Sequence, residues 1–401
     1  MDYQDYVGFY NMSGFQLNVL EVEGQLIAAV PYVPAGFEIY LEPLLPGDSM
    51  GDHFRMQGGP LDGSMAEFLR GVDGSVRAIQ VEGYELDRLT PDQAAELSVV
   101  KRLIAPPLGL TPEKQAAFQS LLDETLASSV GGAFDYILPY PKYEFVQYAM
   151  AQEVFIFHGS NNRTIEVFIP TRTSVELYDR RGIGNQQAVY GTHDGLWSMF
   201  FAVVDRPRLH GSIRNGVTYF HNRAGEQLAV YNFSINQEQL AEKPYTAGAL
   251  YFLPRSKFKR QMLSEHAYAN EWTCPSEVRP LARLDVDPED FPFLDQISGH
   301  DDGLLLRNDI LAKAIRTAAL AASLEQARFT VTIPASPEMA QALTEWIEIQ
   351  KSLIPSAQFL VVEVAAGLEM TIHNLPPAYQ QVYREAYREL LGGSDPRPPV
   401  Q

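Results

Sequence analysis

The first stretch with side chains suited to chemistry lies near the middle of the chain. A short apolar run over residues 154–157 leads directly into His158, Gly159 and Ser160. Polar residues at the end of an apolar strand commonly form the rim of a pocket. An imidazole there can bind a ligand or serve as a structural hydrogen-bonding group, and both roles stay open. Ser160 lacks the G-x-S-x-G surroundings of a nucleophilic serine, so we expect it to orient a ligand.

A second stretch of this kind follows a polar loop. Residues 188–190 predict a short strand that ends at Tyr190, and Thr192 follows two positions later. Beyond Thr192 the apolar residues recur at helical spacing, which predicts a buried helix face. These residues are Leu196, Trp197, Met199, Phe200, Val203 and Val204. We expect the two strand ends to border one cleft.

The order strand–His-Gly-Ser, loop, strand–Tyr-x-Thr, helix resembles the diphtheria-toxin-like branch of ADP-ribosyltransferases, over residues 140–295. The resemblance implies that His158 holds the ribose of NAD and that Tyr190 contacts the nicotinamide. In that branch a glutamate at the start of a later strand supports the ribosyl transition state, and Glu271 is the best match. Three residues near it in sequence stay as alternatives: Gln261, Glu265 and Glu277.

The implied reaction breaks the bond between nicotinamide and C1′ of the ribose through an oxocarbenium-like state. A carboxylate beside the ribose stabilises that positive charge and can also activate the acceptor. Glycosidases use carboxylates on the same kind of state, so one well-placed glutamate is sufficient in principle. On this hypothesis His158, Tyr190 and Glu271 are the catalytic residues and share one cleft.

Five further residues are expected to bind the cofactor. Gly159, Ser160 and Thr192 belong to the two motifs themselves. Arg163 and Arg172 lie in the loop between the motifs and could pair with the pyrophosphate of NAD. A solvated, charged loop is an equally good interpretation of the two arginines.

The resemblance implies a transferase that moves ADP-ribose from NAD to an unknown acceptor, a protein or a small molecule. NAD is then a substrate, and no metal is required. The same site with water as acceptor would make the chain an NAD hydrolase. A non-catalytic binding or scaffold protein that retains the fold is the contrasting alternative.

Length, charge and composition limit the class of protein. At 401 residues the chain is expected to form two or three domains, and 46% hydrophobic residues indicate globular cores. A formal charge of −19 argues against nucleic acid or an anionic membrane as a general partner. The lone Cys274 excludes an intrachain disulfide and suits a reducing cytosol. The histidine spacing does not predict a zinc site.

Targeting signals are not evident in the sequence. The first fifteen residues show neither a positive segment nor an apolar one, and no window has the length and apolarity of a membrane-spanning helix. We therefore expect a cytoplasmic protein without membrane association.

The N-terminal part predicts an all-β domain. Short alternating runs over residues 15–22, 65–70 and 76–81 are separated by glycine-containing turns. The segment resembles the small lipocalin-like barrel appended to many β-lactamase-type serine hydrolases. The hydrolase domain with its S-x-x-K motif is missing, so the resemblance implies no hydrolase activity. We expect a barrel filled by its own side chains, with a ligand-holding barrel as the alternative.

The whole chain thus predicts a multidomain α+β protein. A small antiparallel β-barrel occupies residues 1–90, and a helical linker follows over 91–139. An ADP-ribosyltransferase-like α+β domain covers 140–297, and a C-terminal α/β extension with a frayed tail covers 298–401.

Helix signals refine the linker and the extension. Thr90-Pro91 predicts a helix that continues to about residue 104, and Thr111-Pro112 predicts another that reaches Ser128. In the extension, residues 310–326 predict a further helix, and Ser336-Pro337 predicts the start of the next.

Overall fold

A computed structural model describes nine segments of the chain. They are residues 3–12, 15–30, 33–44, 52–96, 103–128, 131–171, 185–262, 268–354 and 356–391. Arg172, one of the expected pyrophosphate ligands, and Glu265, an alternative to Glu271, lie outside the described residues.

The N-terminal part forms a closed barrel of eight strands in which every neighbouring pair is antiparallel. The strands are β1 (Gly8–Met12), β2 (Phe15–Val22), β3 (Gln25–Ala29), β4 (Ile39–Pro43), β5 (His53–Gln57), β6 (Met65–Arg70), β7 (Val76–Val81) and β8 (Tyr84–Leu89). Pairing of β1 with β8 closes the barrel, so neither strand presents a free edge. The predicted antiparallel barrel is confirmed.

Aromatic side chains fill the barrel core. Tyr10, Phe54 and Phe68 are almost fully buried, and the rings of Phe54 and Phe68 meet edge to face with centroids 5.5 Å apart. These residues alternate with more exposed ones along their strands, as one inward-facing side of a pleated strand requires. The tip of a later hairpin adds Phe220 and Val230 to the same core.

The middle of the chain contains five helices and eleven strands within the described residues. In chain order they are α1 (Pro91–Glu96), β9 (Leu103–Ile104), α2 (Pro112–Ser128), β10 (Gly132–Ala133), α3 (Lys142–Met150), β11 (Phe155–Ser160), β12 (Val189–Thr192), α4 (Gly195–Val203), β13 (Ile213–His221), β14 (Gln227–Asn236), α5 (Gln237–Ala241), β15 (Gly248–Pro254), β16 (Lys259–Met262), β17 (Tyr268–Cys274), β18 (Ala282–Val286) and β19 (Ser298–His300). Four short 3-10 helices lie between them: Arg206–Arg208, Arg255–Lys257, Pro288–Asp290 and Leu294–Gln296.

The two predicted linker helices both begin where their caps indicate. Thr90 accepts a hydrogen bond from the amide of Gln93 at 3.2 Å, and the Gln93 side chain accepts one from the amide of Thr90, which completes a capping box. The predicted end of this first helix is wrong, because Leu103–Ile104 forms a strand on the edge of β14. Pairing with a partner strand has overridden the local helical signal there.

Two sheets organise the central part. One has seven strands in the order β10-β18-β15-β11-β12-β17-β16, and the other contains β13, β14 and β19 with β9 beside β14. Helix α4 packs on β11 and β15 of the larger sheet and also contacts β13 of the smaller one. The buried face predicted after Thr192 is confirmed in α4, from Leu196 to Val203.

The C-terminal part has a core of its own around a four-stranded antiparallel sheet in the order β20-β21-β23-β22. Its elements are α6 (Leu304–Ala318), β20 (Ala321–Glu325), β21 (Arg328–Ile333), α7 (Pro337–Leu353), β22 (Gln358–Val364), β23 (Gly367–His373) and α8 (Pro377–Ala386). The helix predicted over 310–326 is wrong in its second half, because residues 321–325 pair with β21 instead. The cap of α7 at Ser336 is confirmed by its hydrogen bond from the amide of Met339. Together the three parts give the predicted multidomain α+β architecture.

Candidate functional site

The strands that carry the predicted catalytic residues are neighbours in the larger sheet. Strand β12 lies between β11 and β17. Phe157 of β11 is paired with Thr192 of β12, and Thr192 is paired in turn with Glu271 of β17. Residues 35 and 79 positions apart in sequence therefore lie side by side.

The side chains of the three predicted residues do not share one face of this sheet. Residues paired across strands lie on the same face, and successive residues of one strand lie on opposite faces. Glu271 and Tyr190 therefore share the face of Phe157, against which α4 packs. His158 lies on the opposite face, where its ring meets Phe168 with centroids 4.8 Å apart. The expectation that all three line one cleft is wrong for His158, because strand ends alone do not reveal the face.

Gly159 explains how α4 approaches β11 so closely. A Cβ atom at this position would lie 1.9 Å from the carbonyl oxygen of Ser198 and 2.8 Å from the amide nitrogen of Ala202, both in α4. Only glycine permits this contact between helix and strand backbones. Its role in the structure is to let the helix pack.

The imidazole of His158 joins β11 to the backbone of β12. Its Nδ1 lies 2.7 Å from the carbonyl oxygen of Tyr190. A carbonyl oxygen can only accept, so Nδ1 must carry the proton. Burial lowers the pKa of His158, and this effect outweighs the hydrogen bond to Tyr190, which raises the pKa. A neutral ring with its proton on Nδ1 follows.

Tyr190 and Glu271 are diagonal neighbours on their face, since Tyr190 is paired with Thr273 and Glu271 lies two residues before it. Diagonal neighbours lie about 7–8 Å apart, which is within reach of aromatic and long side chains. The hydroxyl of Tyr190 donates to the carbonyl oxygen of Gln186 at 2.9 Å and accepts from its amide at 2.7 Å. The ring is thereby held in place by its own loop.

The expected cofactor-binding side chains make local contacts. Ser160 accepts a hydrogen bond from the amide of Asn162 at 3.1 Å, and the buried Thr192 accepts one from the amide of Asp194 at 3.1 Å. Arg163 forms an ion pair with Asp287 at 3.3 Å. The first two therefore stabilise turns at the strand ends, and Arg163 connects its loop to the end of β18.

Asp194 is a buried carboxylate that motif reasoning did not select. It accepts hydrogen bonds from the amide of Trp197 at 2.8 Å, from Tyr219 at 2.8 Å and from Tyr231 at 2.9 Å. Burial raises its pKa, against the opposing effect of these donors. It both caps α4 and fixes that helix to the smaller sheet.

A group that we call the junction cluster was also missed. It consists of His193, Tyr219, Arg255, Arg260 and Trp272, where the end of β12 and strand β17 meet β13 of the other sheet. The rings of His193 and Tyr219 stack with centroids 5.2 Å apart, and Trp272 donates from Nε1 to Nδ1 of His193 at 3.4 Å. Its one visible signal in the sequence is Arg260, which forms a compact basic run with Lys257 and Lys259.

Comparison with known proteins does not assign the chain to a family. No protein-family model matches the chain, and a search of curated proteins finds no significant match. Among the described residues, no group of three or more His, Cys, Asp or Glu is arranged to hold a metal ion. The described helices also include none with the length and apolarity to cross a membrane.

Proposed function

We propose that the central part binds NAD and transfers its ADP-ribose to an acceptor, with release of nicotinamide. The observation that carries the proposal is the diagonal pair of Tyr190 and Glu271 on one face of adjacent strands. An aromatic ring offers a flat surface to the nicotinamide, and a carboxylate stabilises the positive charge that develops on the ribose. Water in place of the acceptor would give NAD hydrolysis at the same site.

His158 has a different role in this proposal from the one its motif implied. Its ring lies on the other face of the sheet and is bonded to the carbonyl oxygen of Tyr190 at 2.7 Å. It is therefore a positioning residue, which holds the strand that carries Tyr190. It acts on NAD only through that strand.

The decisive experiment measures nicotinamide release from NAD, with and without cell extract as a source of acceptor. Glu271→Gln keeps the size of the side chain and removes its charge. We expect turnover to fall on the order of 10²-fold, about 3 kcal/mol of transition-state stabilisation, while NAD binding changes little. Glu277→Gln, at an exposed position, is the matched control and should release nicotinamide at the wild-type rate.

A non-catalytic binding or scaffold protein is the second candidate, and one observation favours it. The sheet separates His158 from Tyr190 and Glu271, so the three-residue arrangement implied by the motifs is not assembled on one face. This candidate expects equal, background release of nicotinamide from the wild type, Glu271→Gln and Glu277→Gln. That result would end the transferase proposal.

A further inference from the structure

We propose that the junction cluster binds a nucleoside phosphate, at a site distinct from the Tyr190–Glu271 face. In strand register, Trp272 is paired with Arg260 on one side and with Gly191 on the other. Both Trp272 and Arg260 are therefore on the face opposite Glu271. The proposal does not depend on the transfer of ADP-ribose.

The first support is a guanidinium group without a counter-ion. Arg260 is partly buried, and burial lowers its pKa. It donates to two neutral acceptors, the carbonyl oxygen of Ala269 at 2.8 Å and Oδ1 of Asn270 at 3.2 Å. Among the described residues no carboxylate forms an ion pair with it. Removing a cation from water without a compensating anion is unfavourable, so an anionic ligand would be stabilised strongly here.

A second cation lies close to the first. Arg255 lies over the ring of Trp272, 5.0 Å from its centroid, and its positive charge lowers the pKa of Arg260 further. Among the described residues, Glu153 is the only carboxylate paired with Arg255, at 3.4 Å. The side chain of Glu153 is 79% exposed. An exposed pair of this kind is weak. In a chain of net charge −19, two neighbouring arginines so weakly compensated indicate recognition of phosphate.

Two partly exposed aromatic rings, Trp272 of the cluster and the neighbouring Tyr268, suit the base of such a ligand. Trp272 is only partly buried, and Tyr268, which lies beneath Arg260 at 5.3 Å, is 47% exposed. Flat exposed rings next to guanidinium groups provide stacking for a purine or pyrimidine. The base and the phosphate of one ligand could therefore be bound together.

His193 contributes a hydrogen-bond donor to this site. Its Nδ1 accepts from Trp272, so the proton of the neutral ring is on Nε2. Burial and the two arginines lower the pKa of His193 to about 4, which keeps the ring neutral near pH 7. Its Nε2 has no hydrogen-bond partner among the described residues, and it is available to a ligand oxygen.

Trp272 allows the proposal to be tested with the intact chain. The two other tryptophans, Trp197 and Trp346, are 8% and 4% exposed, so a ligand at the cluster should change the fluorescence of Trp272 most. ADP is the probe, and adenosine is the control without phosphate. We expect ADP to quench the emission saturably, adenosine to bind at least tenfold more weakly, and added salt to weaken ADP binding. Trp272→Phe should remove the signal.

Arginine variants identify the site. Arg260→Met and Arg255→Met should each weaken ADP binding about tenfold or more, one decade being about 1.4 kcal/mol. Arg328→Met, at an arginine paired with Glu325 in the C-terminal part, is the matched control and should bind ADP as the wild type does.

Two results would overturn the proposal. One is the absence of any ADP-dependent change in fluorescence or melting temperature of the wild type. The other is equal ADP affinity in Arg255→Met, Arg260→Met and Arg328→Met. If Arg260→Met does not fold, Arg255→Met decides alone, because the Arg255 side chain is 36% exposed and we expect the fold to tolerate its loss.

Discussion

The imidazole of His158 donates a hydrogen bond from Nδ1 to the carbonyl oxygen of Tyr190, at 2.7 Å. The two residues belong to adjacent strands, between which the backbone is paired through Phe157 and Thr192. The side chain thus extends the connection between β11 and β12 beyond the paired residues. The hydrogen bond therefore gives His158 a structural role, which is to hold β12 against β11.

Replacing His158 should separate the loss of this hydrogen bond from the loss of packing. His158→Phe keeps a ring against Phe168 but leaves the carbonyl of Tyr190 without its partner, which should lower the free energy of unfolding by about 1–3 kcal/mol. His158→Asn offers an amide donor in a similar place and should lose less. Urea denaturation of both variants measures the difference, and a larger loss in His158→Asn would contradict the assignment.

Gly159→Ala should be strongly destabilising. The new methyl group would lie 1.9 Å from the carbonyl oxygen of Ser198, so α4 would have to move away from β11. Such overpacking costs about 1–3 kcal/mol and sometimes more. Gly109→Ala is the matched control, because nothing lies within 4 Å of a Cβ there and its stability should be nearly unchanged. Thermal melting of the pair tests the contact.

Asp194 should be the most sensitive polar residue of the central part. Asp194→Ala removes the cap of α4 and leaves the hydroxyl groups of Tyr219 and Tyr231 without their acceptor. We expect a loss of about 3 kcal/mol or more in the free energy of unfolding. Asp194→Asn retains one acceptor oxygen and should lose clearly less. Chemical denaturation decides, and equal losses would show that the oxygen acceptor is unimportant.

The stability of the protein should fall between pH 6.5 and about pH 4, in part through His193. Burial, then Arg260 and Arg255, lower the pKa of His193 from 6.5 to about 4, while Glu153 raises it. In this window the unfolded chain binds the proton and the folded chain does not, so acidification favours unfolding. His193→Gln should make the slope of stability against pH smaller. Urea denaturation at a series of pH values measures this slope, and an unchanged slope in His193→Gln would contradict the assignment.

Residues 1–90 expressed alone should unfold cooperatively, because the eight strands close on themselves. The isolated barrel should nevertheless be less stable than in the full chain, since Phe220 and Val230 of the β13–β14 hairpin belong to its core. In the full chain, Phe220→Ala should lower the free energy of unfolding by about 3–5 kcal/mol, which is typical when a buried phenylalanine is replaced by alanine. A non-cooperative melt of the fragment would contradict independent folding.

Local patterns in the sequence predicted much of the secondary structure. The alternation over 65–70 and 76–81 matches two barrel strands residue for residue, and Thr111-Pro112 marks the start of a helix that ends at Ser128. These predictions succeed because side-chain periodicity and capping depend on a few neighbouring residues. The helix prediction is wrong at Leu103–Ile104 because the strand that pairs with it lies far away in sequence. Residues 321–325 pair instead with the strand that directly follows them, and this hairpin overrides their helical pattern.

The arrangement of the candidate site depended on tertiary structure. The sequence by itself determined that His158, Tyr190 and Glu271 lie in or beside strands. Only the register of β11, β12 and β17 decided that Tyr190 and Glu271 share a face and that His158 does not. A shift of one residue in pairing reverses the face of every side chain, and no local pattern reports that shift. For the same reason, His193, Arg260 and Trp272 became one cluster only when β17 was placed beside β12 and β13.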